Sequence, residues 1–437
     1  MKKLFTITST LLVLGMMLLN GCLQDKCTQT MTFYTYEPVY KSLEEVRAGV
    51  KSEAARSIQR PGKIYFKDAY VFIVEVNEGV HVLNNTDPSQ PSSEAFIAVP
   101  GARDLAIRGN SMYVDSYLDL VAIDITNVQA AVETHRETDV FHYGTWHPGL
   151  WADQNLGIAV DWIETEHVEE AECGDNNFLG GWGGNAFFRA EALDLAGAAS
   201  NSNLNAPSAG GGSDVSSGVG GSMARFTISG SYLYTVPQGQ LLVFDVASPA
   251  TPNKVSEQWI NWDVETIFPK GDKLFIGSQT GMHIYSIAQP TSPEHVSSIQ
   301  HVRSCDPVVV EGNYAYVTIR DGNNCGGESV NQLFVVDLTN IQSPQTIATY
   351  EMHNPHGLGI RNGILFLCDG DEGLKVFDAS DVYKIDDNQL AHFKNIHAFD
   401  VIPLHNLLLM IGEDGLYQYD YSDLDNIYQL SHIPVIR

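Results

Sequence analysis

Leu333-Phe334-Val335-Val336-Asp337-Leu338-Thr339-Asn340 is the stretch on which the fold turns. A run of the form apolar-x-apolar-apolar ending in Asp, with Thr-Asn just beyond, describes a strand stopped by a turn. The same shape recurs at Gly79–Asn84, Leu120–Asp124, Leu241–Asp245, Met282–Ser286, Leu374–Asp378 and Leu416–Asp420. The anchors step by 40 residues from Asn84 to Asp124, then by 41, 51, 41 and 42 from Asp245 through Ser286, Asp337 and Asp378 to Asp420. Each copy follows an alternating, aromatic-rich segment such as Tyr70-Val71-Phe72, Tyr232-Leu233-Tyr234 or Tyr314-Ala315-Tyr316. Four short strands per period of about 40 to 45 residues is the period of a β-propeller blade, with period-two strands packed face to face between neighbouring sheets.

The step from Asp124 to Asp245 is 121 residues, room for three periods, yet the pattern is only partly present there. Leu156–Trp162 reads as the second strand of a degenerate unit, and residues 174–221 are a Gly, Ser, Asn and Ala-rich insertion. The expectation is therefore an all-β propeller of about eight four-stranded blades over residues 63–437, with seven as the alternative if the degenerate unit only decorates its neighbours. Residues 31–62 precede the repeats and are expected to pack on the propeller, supplying an extra edge strand at Thr32–Tyr36 or a short helix over Ser42–Val50.

The repeated third strand resembles the LVIVD repeat of bacterial and archaeal cell-surface proteins, from about Pro38 to the C-terminus. The resemblance implies a β-propeller at the cell surface and implies no particular reaction. Asn84 and Ser286, where the repeat has Asp, and the eroded third unit depart from it. Gly-His with Trp-Asp pairs and kelch double glycines, the marks of other propellers, are absent from the sequence.

The chain of 437 residues is 44% hydrophobic, enough for a sizeable core, and its 53 acidic against 25 basic residues give a formal charge of -28. Nucleic-acid binders concentrate Lys and Arg on one face to displace counterions, so no nucleic-acid partner is expected. At the N-terminus, Lys2 and Lys3, the apolar stretch Leu4–Leu19 and then Asn20-Gly21-Cys22 read as an export signal over residues 1–21 followed by a lipidated Cys22. Such an anchor, with residues 22–30 as tether, makes the membrane a partner and places the protein in a bacterial cell envelope, on the outer membrane, its surface or periplasmic orientation open. An exported chain keeps disulfides, and Cys305 with Cys325, 20 residues apart across one predicted strand pair, is the expected bridge. Cys27 with Cys173 is a further pairing, and Cys368, beside the apolar Ile364–Leu367, reads as a buried small hydrophobe.

In a propeller the innermost strands all start at one mouth of the central channel, so residues at that repeat position converge. Its occupants are Arg103 and Asp104, Arg225, Asp263 and Glu265, Asp306, His356, and His397 with Asp400. Carboxylates and imidazoles so gathered suit a divalent cation, arginines suit an anionic ligand, and together they could act as an acid and base. The same residues also suit capping the channel and pairing with one another. Of these, Arg103, Asp104, Arg225, Glu265, Asp306, His356 and Asp400 are the ligand-binding candidates. His353 and His356 share a Pro-Gly turn without metal-site spacing, and Asp369–Gly373 lacks the remaining ligands of a calcium loop. Trp146, Trp151, Trp162 and Trp182, near the insertion, suit packing or stacking on a sugar or partner. With Gly218–Ser222 read as low-complexity sequence and no P-loop, His-Glu-x-x-His or Gly-x-Ser-x-Gly present, the expected function is a lipid-anchored binding module for a protein or glycan partner. The alternative is an envelope hydrolase or lyase using Asp306, His356 and Asp400.

Overall fold

Every recurring Asp of the third strand does the same local job. In the computed structural model, which describes residues 28–141, 152–153, 155–172, 201–202, 216–237, 239–261, 264–300, 307–320 and 330–436, Asp124 Oδ1 accepts a hydrogen bond from the Thr126 amide at 2.8 Å, and Asp245, Asp337, Asp378 and Asp420 repeat the bond two residues on. Asn84 Oδ1 accepts from Thr86 and Ser286 Oγ from Ala288, so the two sequence departures keep the turn. A side-chain acceptor there closes an Asx-type turn at the exposed strand end.

Seven four-stranded antiparallel blades result, six as separate sheets and blade 1 as the centre of a seven-stranded one. Blade 1 is Pro61–Lys67, Tyr70–Glu75, Gly79–Asn84 and Ser92–Ala98; blade 2 is Leu105–Arg108, Ser111–Ser116, Asp119–Asp124 and Val132–Glu137. Blade 3 runs from Phe226–Ser229 to Asn253–Trp259, blade 4 from Val264–Lys270 to Glu294–Gln300 and blade 5 from Val308–Glu311 to Gln345–Glu351. Blade 6 runs from Leu358–Arg361 to Gln389–Phe393 and blade 7 from Ala398–Pro403 to Tyr428–Pro434. The innermost strands abut in that order and blade 7 returns to blade 1, closing the ring. In all seven blades the pairing of third and outer strand slips by one residue at a bulge, which adds the twist a blade needs.

The count is seven rather than eight. Gly157–Glu172 forms no blade; it joins Thr28–Lys41 and Ala152–Asp153 in a three-stranded sheet. Its alternation marked a strand correctly, but no partner with the repeating third-strand pattern follows it. The chain divides into two compact units, residues 1–39 with 161–191, and residues 40–160 with 192–437. In the first, Phe33 stacks on His167 and Thr35 Oγ1 lies 2.8 Å from its Nε2. In the second, the helix Leu43–Arg47 starts at a Ser42–Glu45 capping box, and Lys51–Glu53 adds an edge strand to blade 1. Among the described residues no helix is long and apolar enough to cross a membrane.

The core lies between sheets. Ile64, Ile73 and Leu83 of blade 1 meet Ile402, Leu409 and Leu416 of blade 7, and Tyr234 and Val243 of blade 3 meet Ile267 and Ile276 of blade 4. The aromatic second strands also reach across: Tyr113 donates to Pro249 O at 2.8 Å and Tyr234 to Pro290 O at 3.1 Å, each in the next blade. Asn85 and Gln418 exchange two amide hydrogen bonds, 2.9 and 2.7 Å, in the buried seam that closes the ring. At Gly373 (φ 86°) the chain enters the third strand of blade 6 so close to Phe393 O that a Cβ would overlap it.

Candidate functional site

The channel is filled by the chain itself. Val219–Ser222, the returning end of the insertion, runs antiparallel to the inner strand of blade 1, with Val219 opposite Phe66 and Gly220 opposite Tyr65. Gly109 donates to Ser216 O at 2.8 Å and Gly218 to Ile107 O at 3.1 Å, tying the same segment to blade 2. Asn201–Ser202 pairs with Ser222 and Gly221, and both pieces lie against inner strands of several blades. The fit needs glycine: a Cβ on Gly218 would strike the Tyr65 ring, and one on Gly221 would overlap Asp400 Oδ2. The Gly-rich residues 216–222, taken for low complexity, thus form a plug that fits because it is thin.

Asp400 is the plug's anchor. Its carboxylate is 0% exposed; Oδ1 accepts from the Ser222 amide at 2.8 Å, and Oδ2 has no hydrogen-bond partner. Burial pushes its pKa up to about 7, against the opposing pull of Ser222, the Val401 amide and Lys63. Ser222 Oγ in turn accepts from the Leu358 amide, joining the plug to blade 6.

Around the plug, inner-strand starts converge. Asp104, 2% exposed, receives Lys63 Nζ at 2.8 Å and the Arg225 amide at 2.5 Å on Oδ2, while Asp115 Oδ1 receives the amides of Arg103 and Asp104, both at 2.8 Å. Asp104 therefore clasps blades 1, 2 and 3 together. Burial lowers the Lys63 pKa, with Asp104 opposing. Arg103 Nε donates to Asn77 Oδ1 at 3.1 Å; burial lowers its pKa, Asp115 opposes, and neighbouring Arg225 lowers it further. Arg225 Nε reaches Glu265 O at 3.4 Å, and Glu265 Oε1 accepts from Gln279 at 3.0 Å.

Blades 5 to 7 supply a second group. His356, 4% exposed, faces Arg320 with 3.4 Å between its Nε2 and the guanidinium; arginine can only donate, so the imidazole proton sits on Nδ1. Burial, then Arg320 and His397, hold the His356 pKa well below the ordinary value, so the ring is neutral. The His397 ring centroid is 5.7 Å from that of His356, and its Nδ1 lies 2.5 Å from Asp371 Oδ1. Asp369 is fully buried and holds the His353–Asn354 turn through their amides and pairs with Lys375, which accounts for that acidic loop structurally.

The structure thus places Arg103, Arg225 and Glu265 around one part of the mouth and His356 in another, while Asp104 and Asp400 lie beneath, committed to the scaffold. Asp306, Asp263, Cys305, Cys325, Cys22, Cys27, Cys173, Trp146, Trp151 and Trp182 fall outside the described residues. Cys368 is buried and free, its thiol pKa raised by burial. Among the described residues no trio of His, Cys, Asp and Glu is gathered as a metal site. Lys63 and Arg320 were missed from sequence, and Asp371 and Ser222 were read there only as part of an acidic turn and of low-complexity sequence. Arg320 and Asp115 could have been found, because second strands end at the mouth where inner strands begin.

A closed ring of seven blades, plugged by its own chain and with polar groups from blades 2 to 7 at one mouth, defines a seven-bladed β-propeller. The LVIVD repeat family profile matches residues 101–135, 220–257 and 303–351, so blades 2, 3 and 5 carry recognised LVIVD repeats. No curated protein matches the sequence. Among solved structures, the computationally designed Ika8 protein is similar with TM-score 0.49 and 9% identity over 88% of this chain and 92% of its own. A functionally unknown protein of Desulfotomaculum acetoxidans gives 0.49 and 11% over 84% and 95%, and the periplasmic gluconolactonase PpgL of Pseudomonas aeruginosa 0.48 and 10% over 88% and 96%. Similarity at this level says nothing of activity.

Proposed function

We propose that the protein is a lipid-anchored binding module of the bacterial cell envelope whose plugged mouth takes an anionic group of a protein or glycan partner. The observation that carries this reading is the neighbouring pair Arg103 and Arg225 from blades 2 and 3, with Arg320 of blade 5 beside His356 in the second group of the same mouth, in a chain with net charge -28. Confined arginines offer planar donors to carboxylate or phosphate. The anchoring half rests on Lys2, Lys3, the apolar Leu4–Leu19 and Cys22. Titration calorimetry of the full chain with inorganic phosphate, citrate and polygalacturonate tests the mouth. Arg225→Ala keeps the backbone amide that Asp104 needs, so it should weaken anion binding about tenfold or more without lowering the melting temperature. Binding indifferent to Arg225→Ala and Arg103→Ala would end the reading, and Cys22→Ser that stays in the membrane fraction would end the anchor.

One observation favours the enzymatic alternative, a hydrolase or lyase: the Asp371–His397 pair beside neutral His356 has the form of a carboxylate-oriented base. Turnover of a glycan or peptide lost in His397→Gln, with anion binding retained, would establish it. A divalent cation at the mouth is the remaining proposal, tested by calcium or zinc titration of the same variants.

A further inference from the structure

At the opposite end of the ring, between blades 1 and 2, a cleft of about 380 Å³ opens beside the turns that join inner to second strands. Its size falls at the lower end of the range that ligand sites occupy. Tyr70, half-buried against the core cluster of these blades, supplies an aromatic wall together with Val128. Exposed Asn110 and Gln129 and the hydroxyl of Thr126 line the rest.

One ion pair and one carboxylate held by amides make up the charges of the cleft. Lys67 pairs with Asp68 and also donates to Ser216 Oγ at 2.9 Å. Glu94 Oε1 accepts from Asn84 Nδ2 at 3.2 Å, and its Oε2 from Gln129 Nε2 at 3.2 Å. Across the cleft, Asn110 Nδ2 donates to Thr126 Oγ1 at 3.0 Å. A site with its one cation held in an ion pair, a carboxylate able to accept from hydroxyls, amide and hydroxyl edges that both donate and accept, and one amphipathic ring suits a ligand that is not anionic, rich in hydroxyls and apolar on one face.

We infer that this inter-blade cleft binds a neutral sugar ring, its C–H face against Tyr70 and its hydroxyls toward Asn110, Gln129 and Glu94. The site is distinct from the arginine mouth and does not depend on the anion reading. It lies next to the foot of the plug, since Lys67 and Gly109 both hold Ser216.

The test is saturation-transfer NMR and calorimetry on the full chain with glucose, galactose, N-acetylglucosamine, maltose and cellobiose, alongside putrescine as a cationic probe. At least one sugar should bind, about threefold to tenfold more weakly in Asn110→Ala and in Gln129→Ala, each removing an exposed amide whose net hydrogen bond is worth that factor. Arg225→Ala should leave sugar binding unchanged. Tyr70→Leu should abolish it, and Tyr70→Phe, which keeps the ring, should retain it even where the leucine variant proves unstable. The inference is overturned if no sugar binds, if binding ignores Asn110→Ala and Gln129→Ala, or if putrescine alone binds there.

Discussion

Replacing Asp400 with Asn should abolish the pH dependence of stability contributed by the plug. The carboxyl is fully buried against Ser222 and Gly221, and burial raises its pKa from 3.8 to about 7. Between those values the folded chain holds a proton that the unfolded chain has released, so the folded state binds more protons and stability falls as pH rises. Roughly 3 pKa units at 1.36 kcal/mol each amount to about 4 kcal/mol lost between pH 4 and pH 7, with no further loss above. The carboxamide of Asp400→Asn is neutral throughout and keeps an oxygen for the Ser222 amide. Chemical denaturation at pH 4, 5, 6, 7 and 8 gives the variant-minus-wild-type difference, in which every other titrating group cancels. That difference should climb by about 4 kcal/mol from pH 4 to pH 7 and then level. A difference that stays flat, or falls with pH, would refute the burial of an uncompensated carboxyl.

Gln418→Ala leaves the buried Asn85 amide unpaired across the closing seam and should cost about 2 kcal/mol by denaturation, with part recovered when Asn85→Ala is added. Gly221→Ala puts a methyl on Asp400 Oδ2 and should cost about 1 to 3 kcal/mol, while Ser217→Ala in the same segment should be near neutral in the same assay. Asp119, 3% exposed in its side chain, receives Arg47 at 2.8 Å and Arg136 at 3.0 Å; burial raises its pKa, but these bonds and the Asp139 amide outweigh burial and leave it below 3.8. Its stabilising contribution is therefore full above the unfolded value and vanishes as pH falls through the folded one. Asp119→Asn should cost about 2 to 3 kcal/mol at pH 7 and little below pH 3.

The ring was legible because each turn repeats one piece of chemistry. An Asp, Asn or Ser oxygen accepting an amide two residues on leaves a mark in the sequence, and alternating strands leave another. The blade count stayed between eight and seven because Gly157–Glu172 alternates like a blade strand yet pairs elsewhere. Convergence of inner-strand starts followed from topology, but which residues were committed did not: Asp104 and Asp400 look like Glu265 in sequence, and only packing shows them spent on amides. The plug was invisible for a physical reason. Gly218, Gly220 and Gly221 pair through backbone alone, and a strand without side chains has no hydropathy pattern to read.

Hydrogen exchange over residues 216–224 tests the filled channel most directly. Held by Ile107 O and Asp400 Oδ1, the Gly218 and Ser222 amides should exchange as slowly as the inner strand Leu105–Arg108. Complete exchange within seconds, as expected of free Gly and Ser-rich chain, would contradict a propeller closed around its own returning segment.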